Sequence, residues 1–306
     1  MKPAKNLLPR QLGDAHIRLL RIFKAVIESG GFAAAEVELN ITRPAISLAI
    51  TELESLLNMR LCNRGRSGFS ITDQGEQVYQ ATLQLLMGLE TFKAQINAIN
   101  TELVGELNIG ITDNLVTMPQ MRITRALSAL KHRAPKVIIN IRMIPPNEIE
   151  TAVLDGHLHI GVVPDLRKLP GLDYLSLYKE RSLLYCSELH PLFKQELNTI
   201  SDAALNKYDA ILPSYPQPAE IKRQQSMLNA TATSTDREGI AFLILTGRFI
   251  GFLPGHFAER WVAQDKMRAI ETQSRYFDTQ FSAVTRKGAR TNLILEAYLE
   301  ELEKTR

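Results

Sequence analysis

Cysteine is scarce: only Cys62 and Cys186 occur among 306 residues, far apart. Two can form a disulfide or a redox switch, but no disulfide framework; two small buried hydrophobes are the plainer reading in a cytosolic chain. No apolar run approaches the ~20 residues of a membrane span. The N-terminus, MKPAKNLLPRQLGD, lacks an apolar core of signal-peptide length, so the expectation is a cytoplasmic protein with no membrane partner. There is no GxSxG, HExxH, P-loop or GxGxxG, so neither catalytic residues nor a cofactor are expected. His157-Leu158-His159 has no evident third ligand, and no metal site is expected. Trp261 is the single tryptophan, and it and the Tyr and Phe residues show no stacking spacing; they read as core. A large excess of charge of one sign is missing too. Lys and Arg number 36 against 33 Asp and Glu, a net charge of +3, so the chain as a whole is not a polybasic nucleic-acid binder.

What is present is local. Residues 1–75 hold 10 Lys/Arg and 7 Asp/Glu, an excess that matches the net charge of the whole chain. Glu76 to Val104 holds one Lys and three Glu. That is a basic head followed by a neutral body. The length allows two or three domains, with 45% hydrophobic and 23% charged residues in the ordinary globular range.

The head reads as helices. After a loose extension over residues 1–13, Asp14 is a candidate cap for a helix from Ala15 to Glu28, ended by Ser29-Gly30-Gly31. Phe32 to Leu39 is a second, alanine-rich helix, and Asn40-Ile41 a tight break. Thr42 to Leu57, TRPAISLAITELESLL, is a third helix. Thr42 is its candidate N-cap, and Pro44 sits in the first turn, where a missing N–H costs nothing. Ala45, Ile46, Ala49, Ile50, Leu53, Leu56 and Leu57 make one apolar stripe. Arg43, Ser47 and Thr51 begin an uncluttered opposite face, as in a helix that enters the major groove N-terminus first. The pair reads as a helix-turn-helix, with an ordinary αα-hairpin as the plain alternative. Downstream, Arg64-Gly65-Arg66-Ser67-Gly68 is a glycine turn, and Phe69, Ile71 and Thr72 alternate like a short strand. Together they make a wing whose Arg64 and Arg66 reach phosphates or the minor groove, or else a solvated turn.

From Phe23 to Gly75 the chain resembles the DNA-binding domain of LysR-type transcriptional regulators. The matching residues are Phe23, Gly31-Phe32-Ala33, Ala35, Leu39-Asn40-Ile41-Thr42, Pro44-Ala45-Ile46-Ser47, Ile50, Leu53-Glu54, Leu61, Arg64, Thr72 and Gly75, in register without a gap. The later chain fits as well. Departures occur at Gly31 (usually serine), Arg43 (commonly glutamine), Leu48 (frequently arginine), Cys62 (usually phenylalanine) and His159 (often aspartate). Those at Arg43 and Leu48 bear on the operator sequence and not on the fold.

Val78, Thr82, Leu85, Leu89, Phe92, Ile96, Ile99 and Leu103 are spaced 4, 3, 4, 3, 4, 3, 4, an unbroken heptad seam on a helix over residues 74–104. A seam this narrow predicts pairing with a second copy, against the alternative of a helix lying on its own domain. Pairing gives two half-sites and a two-fold related operator. The resemblance likewise implies paired linker helices, with dimers assembling into tetramers, and RNA polymerase as a further partner.

Beyond Gly105, strands and helices alternate. Strands are expected at Glu106–Thr112, Val137–Met143 and Leu158–Val163, with helices at Pro119–His132 and Glu148–Leu154. This βαβαβ run predicts a parallel, doubly wound sheet. A second group follows with strands at Ser182–Ser187, Asp209–Leu212 and Phe249–Leu253 and helices near Glu220–Leu228 and Arg237–Leu245. The chain returns through Gln280–Thr285 to a last helix, Leu293–Leu302. The fold class is therefore α/β with an N-terminal all-α winged helix-turn-helix, a long linker helix and a two-lobed effector domain. The resemblance implies that this domain is periplasmic-binding-protein-like. The expected boundaries are 14–73 for the head, 74–104 for the linker and 105–306 for the effector domain, with lobes 105–181 plus 268–306, and 182–267.

Ligands of open α/β sheets sit at the carboxyl ends of strands, near helix N-termini. That rule selects Thr112, Asp113 and Asn114 after the first strand, Asn147, Pro213-Ser214, Asp236-Arg237 and Phe252. Thr112, Asn147, Ser214 and Asp236 fall where the resemblance places ligand contacts; each could equally be a helix cap or turn residue. A small carboxylate would suit the mixed polar lining. The expected activity is an effector-controlled regulator that binds double-stranded DNA through Thr42, Arg43, Pro44, Ser47, Thr51, Arg64 and Arg66. The alternative is a solute-binding or catalytic α/β protein using its N-terminal helices only to dimerise. A mainly architectural, ligand-indifferent DNA binder is a third possibility.

Overall fold

A computed structural model describes residues 12–65, 68–99, 103–195, 200–270, 273–288 and 292–305. The chain divides into two compact units, Met1–Leu89 and Glu90–Arg306.

The first unit holds three helices, α1 (Asp14–Glu28), α2 (Phe32–Leu39) and α3 (Arg43–Leu57), then a two-stranded hairpin of β1 (Cys62–Gly65) and β2 (Gly68–Ile71). Its core collects Leu19, Phe23, Val26, Ala35, Ile46, Ile50, Leu53 and Leu61. Asp14 does not cap α1. The cap position is Gly13, whose N–H donates to His16 Nδ1 at 3.0 Å, and Asp14 lies inside the first turn. Thr42 makes no side-chain cap either; the Arg43 N–H donates instead to Glu36 Oε1 of α2 at 3.1 Å. Ala45, expected in the apolar stripe, is exposed, while Ile46, Ala49, Ile50, Leu53 and Leu57 are buried. Asn40 and Asn58 close α2 and α3 in the left-handed region, which asparagine tolerates.

The long helix α4 (Asp73–Ile99) begins in this unit. Thr72 starts it, accepting the Gly75 N–H at 2.9 Å and donating to the Arg60 carbonyl at 2.6 Å. Gly75 is obligatory, because a Cβ there would lie 2.1 Å from the Leu61 carbonyl oxygen. Along the expected seam, Val78 packs on the head core and Thr82 is buried, donating to the Val78 carbonyl. Leu85 and Leu89 are half-buried, and Phe92 and Ile96 are 60% and 46% exposed. The Ile99 side chain lies outside the described residues. Leu103 lies beyond the helix and packs against the core of the second unit, so the seam ends before it.

In the second unit the strands are β3 (Gly105–Ile111), β4 (Val137–Met143), β5 (Ile160–Pro164), β6 (Leu172–Ser187), β7 (Asp209–Pro213), β8 (Asn229–Ser234), β9 (Phe249–Pro254), β10 (Met267–Ile270) and β11 (Tyr276–Arg286). The helices are α5 (Arg122–Arg133), α6 (Pro146–Leu154), α7 (Asp202–Leu205), α8 (Ala219–Gln225), α9 (Arg237–Leu245), α10 (Gly255–Val262) and α11 (Leu293–Lys304). Short 3₁₀ turns lie at Leu115–Thr117 and Pro191–Lys194. The sheet order is β4-β3-β5-β11-β6-β9-β7-β8, with β10 also on β6.

The expected parallel pairing holds inside each lobe: β3 pairs with β4 and β5, and β7 with β8 and β9. The sheet as a whole is mixed, because β6 and β11 run antiparallel to each other and join the lobes. Leu177, Tyr178 and Phe281 belong to the first core, Leu184 and Phe277 to the second. The crossing thus lies near 178–183 and 277–281. Residues 268–270, expected in the first lobe, pair with Leu184–Cys186 in the second.

Candidate DNA-reading head and effector cleft

In the head, α3 presents Thr42, Arg43, Pro44, Ala45, Leu48 and Thr51 to solvent, with Ser47 half-buried among them. The Thr51 hydroxyl donates to the Ser47 carbonyl at 2.8 Å, which fixes its rotamer and leaves its oxygen as an acceptor. Leu48 is 70% exposed. The sequence marks it as a departure that bears on the operator, and its place off the apolar stripe accounts for the exposure. The wing is tied to α3 by Glu54, whose Oε1 accepts the Leu61 and Cys62 N–H groups at 2.8 and 3.1 Å. Phe69 of β2 meets Phe32 edge-on at 5.8 Å. Arg64 stands in β1 opposite Phe69; Arg66 lies outside the described residues.

In the second unit, α9 opens at the N-cap Asp236. Its carboxylate accepts the Gly239 N–H at 2.6 Å and the Thr235 hydroxyl at 3.1 Å. Asp236 therefore acts as a helix cap. The next residue, Arg237, is buried and faces the first lobe. The Asp113 carboxylate, just after β3, accepts both the Arg237 backbone N–H and, at 2.9 Å, the Arg237 Nη1. Arg237 Nη2 lies 3.8 Å from Oε1 of the buried Glu180 on β6. Glu180 Oε2 meets His256 Nε2 at 3.1 Å, and His256 Nδ1 meets the Thr117 hydroxyl at 2.6 Å. Tyr215 lies 5.9 Å from the guanidinium. Burial opposes the charge on Arg237; Tyr215, Glu180 and Asp113 outweigh it and hold its pKa above the ordinary arginine value.

Beside this chain lies a cavity of about 190 Å³ lined by Pro146, Asn147, Glu150, Arg167, Tyr215 and Gln217, among others. A smaller one, about 30 Å³, contains Arg237, Ser182, Phe252 and Thr279 and shares Pro164, Leu166, Tyr215 and Gln217 with it. Asn147 and Phe252 thus line the cleft. Thr112 is buried and its hydroxyl turns to the Val162 carbonyl at 3.4 Å. Ser214 is exposed, its N–H on the Ser234 carbonyl, and its neighbour Tyr215 takes the cleft position. The strand-end rule selected Arg237 together with Asp236; Tyr215 and Gln217 escaped it, although Tyr215 follows the selected Pro213-Ser214.

His159 is explained by packing. It is buried in β-sheet surroundings, its Nδ1 accepts the Asn108 N–H at 2.9 Å, and burial lowers its pKa to about 4. Cys62 and Cys186 are both buried, and burial pushes the Cys186 thiol up to about 12. Among the described residues no helix is long and apolar enough to cross a membrane.

A model of the bacterial regulatory helix-turn-helix protein, lysR family, matches residues 17–76, and one of the LysR substrate binding domain matches residues 100–306. The HTH-type transcriptional activator BauR of Pseudomonas aeruginosa is 52% identical over 300 residues, covering 98% of each chain. A probable HTH-type transcriptional regulator, LrrA of Synechococcus elongatus, is 30% identical over 68% of this chain and 69% of its own. Among solved structures, full-length CbnR with its target DNA superposes with a TM-score of 0.67 at 20% identity, covering 94% of this chain and 99% of that one. The chain belongs to the LysR family and is a LysR-type DNA-binding transcriptional regulator with a helix-turn-helix head and an effector-binding domain.

Proposed function

We propose that the protein is a cytoplasmic regulator that reads a two-fold operator as a homodimer, or a pair of dimers, and answers to a small carboxylate bound between its two lobes. Thr42, Arg43, Ser47 and Thr51 face base edges and adjoining phosphates, with Pro44 setting the helix start. Ala45 and Leu48 offer methyl groups to the C5-methyl of thymine. Arg64 and Arg66 on the wing contact backbone or minor groove. Val78, Leu85, Leu89, Phe92, Ile96 and Ile99 form the pairing edge, in which Phe92 and Ile96 supply exposed apolar surface.

In the effector domain Asn147, Tyr215, Gln217, Phe252 and Arg237 line the ligand position. Asp113 acts through Arg237, and Thr112, Ser214 and Asp236 shape the surrounding backbone. The observation that carries a carboxylate ligand is the buried guanidinium of Arg237 at the mouth of α9. The name of the 52% identical relative supports activation, with RNA polymerase as the further partner. Such a ligand shifts the arrangement of the dimers by no more than its differential affinity, typically about 1–3 kcal/mol.

The test pairs two measurements on the purified full-length protein. The first is anisotropy of promoter fragments from its own genomic neighbourhood across a salt series. The second is a thermal-shift screen against small metabolites. Tight, salt-sensitive binding to one fragment with a carboxylate hit supports the reading. Indifference to every fragment at low salt rejects it, and a hit confined to ligands without a carboxylate rejects the ligand class.

A further inference from the structure

The Asp113–Arg237 pair has the form of a bound ligand. Both carboxylate oxygens are engaged, one by the Arg237 backbone N–H and one by its guanidinium. That N–H is the first of α9 and has no partner inside its helix. Asp236 satisfies Gly239 three residues on and leaves the Arg237 N–H to an outside acceptor. The acceptor comes from the other lobe, out of the loop after β3. We infer that the Arg237 side chain and the α9 N-terminus are the carboxylate-binding position of the cleft, and that Asp113 is a built-in occupant which an incoming carboxylate displaces. This rests on the reading of the cleft as the effector site and adds the regulation of that site.

Charge decides displacement over addition. Around one buried guanidinium stand two carboxylates, Asp113 and Glu180. A third within the same few ångströms would face two like charges in a poorly solvated site, so a ligand gains Arg237 only as Asp113 leaves. The space fits that exchange: the smaller cavity carries Arg237 and shares four residues with the cavity of about 190 Å³ beyond it, which can take the rest of the ligand.

The exchange has a mechanical consequence. The 113–117 loop is held to the second lobe at two points, Asp113 on Arg237 and the Thr117 hydroxyl on His256. Releasing the first undoes one of these two loop contacts and leaves the lobes joined through β6 and β11. The ligand then replaces an intramolecular bond with one of its own, and lobe spacing becomes coupled to occupancy.

The test needs no knowledge of the effector. Thermal unfolding of the full-length protein is followed with acetate at constant ionic strength, chloride replacing it in the control. In Asp113→Ala the vacated carboxylate position should accept acetate, raising Tm by several degrees more than in the wild type. Acetamide, neutral and of the same shape, should not do so. Asp113→Ala combined with Arg237→Gln should lose the response. If Asp113→Ala does not fold, Asp113→Asn keeps the side-chain volume, and acetate measured by calorimetry should bind it at least tenfold tighter than the wild type. Equal acetate responses in wild type and variant overturn the placeholder. A carboxylate hit in the metabolite screen without any Asp113-dependent acetate effect also overturns it, while leaving the effector cleft intact.

Discussion

Glu36 of α2 holds the start of the recognition helix: its Oε1 accepts the Arg43 backbone N–H at 3.1 Å, in place of the Thr42 hydroxyl. A helix start leaves orphan N–H groups, and a side-chain acceptor there contributes about 1 kcal/mol. Glu36→Ala should therefore destabilise the protein by about that much in urea unfolding followed by helical signal, while Thr42→Ala should be near neutral. In operator binding the order should reverse, because Thr42 is exposed on the α3 face and Glu36 is spent inside the turn. A Thr42→Ala loss of stability equal to that of Glu36→Ala would return the capping role to Thr42.

On the DNA side, Arg43 and Arg66 should differ in kind. A phosphate contact releases counterions whatever the sequence, so Arg66→Ala should weaken binding to all duplexes and lower the slope of log K against log salt by about one. Arg43 begins the exposed face of α3, the face that the proposed reading sets against base edges. Arg43→Ala should change the preferred operator by about 1–3 kcal/mol per affected base pair with little effect on random DNA. Selection on a randomised operator, run beside a salt titration, separates the two; an unchanged slope for Arg66→Ala or unchanged preference for Arg43→Ala counts against the assignment.

Much of this was legible from periodicity. Helical spacing marked Ile46 through Leu57, and short apolar stretches marked β3, β4 and β9, because burial imposes period and composition together. What escaped was decided by partners distant in sequence. The first part of β6, Leu172–Arg181, carries Asp173, Lys179, Glu180 and Arg181 among its apolar residues, and the sequence marked no element there. It is a strand because β11 pairs with it. β8, Asn229–Ser234, has almost no large apolar residue and exists as an edge on β7. In the cleft the rule about strand ends found Asp113 and Asn147. It could not tell Asp236, used up as a cap, from Arg237 beside it, since that depends on which way each side chain leaves the first turn of α9. Glu180 and His256 come together across 76 residues, with no local pattern to announce them.

The pairing edge makes a separate prediction. Phe92 and Ile96 are successive seam positions, four residues apart on α4, and are 60% and 46% exposed, large apolar side chains that a second helix would cover. Replacing both with glutamate places like charges on each side of the seam. The double variant should sediment as a monomer at micromolar concentration. It should also bind a two-fold operator at least tenfold more weakly, because the second head is no longer delivered by the first. A variant that remains dimeric would assign self-association to another surface.

His159 gives the chain a defined acid sensitivity. Its imidazole is buried and accepts the Asn108 N–H, an arrangement open only to the neutral ring, and burial lowers its pKa from the ordinary 6.5 to about 4. The unfolded chain then binds a proton that the folded one refuses at every pH between those values, so stability rises with pH across that window. The contribution is fully present above about 6.5 and is lost progressively toward pH 4, a total on the order of 3 kcal/mol at about 1.4 kcal/mol per pH unit. Urea unfolding of the wild type at pH 7, 5.5 and 4.5 should show a falling midpoint. In His159→Gln, whose amide oxygen can accept the same N–H but cannot titrate, the midpoint should fall less over that range, even if the variant is weaker at pH 7. Parallel pH profiles for the two proteins would mean that protonation of His159 is not what opposes folding in acid.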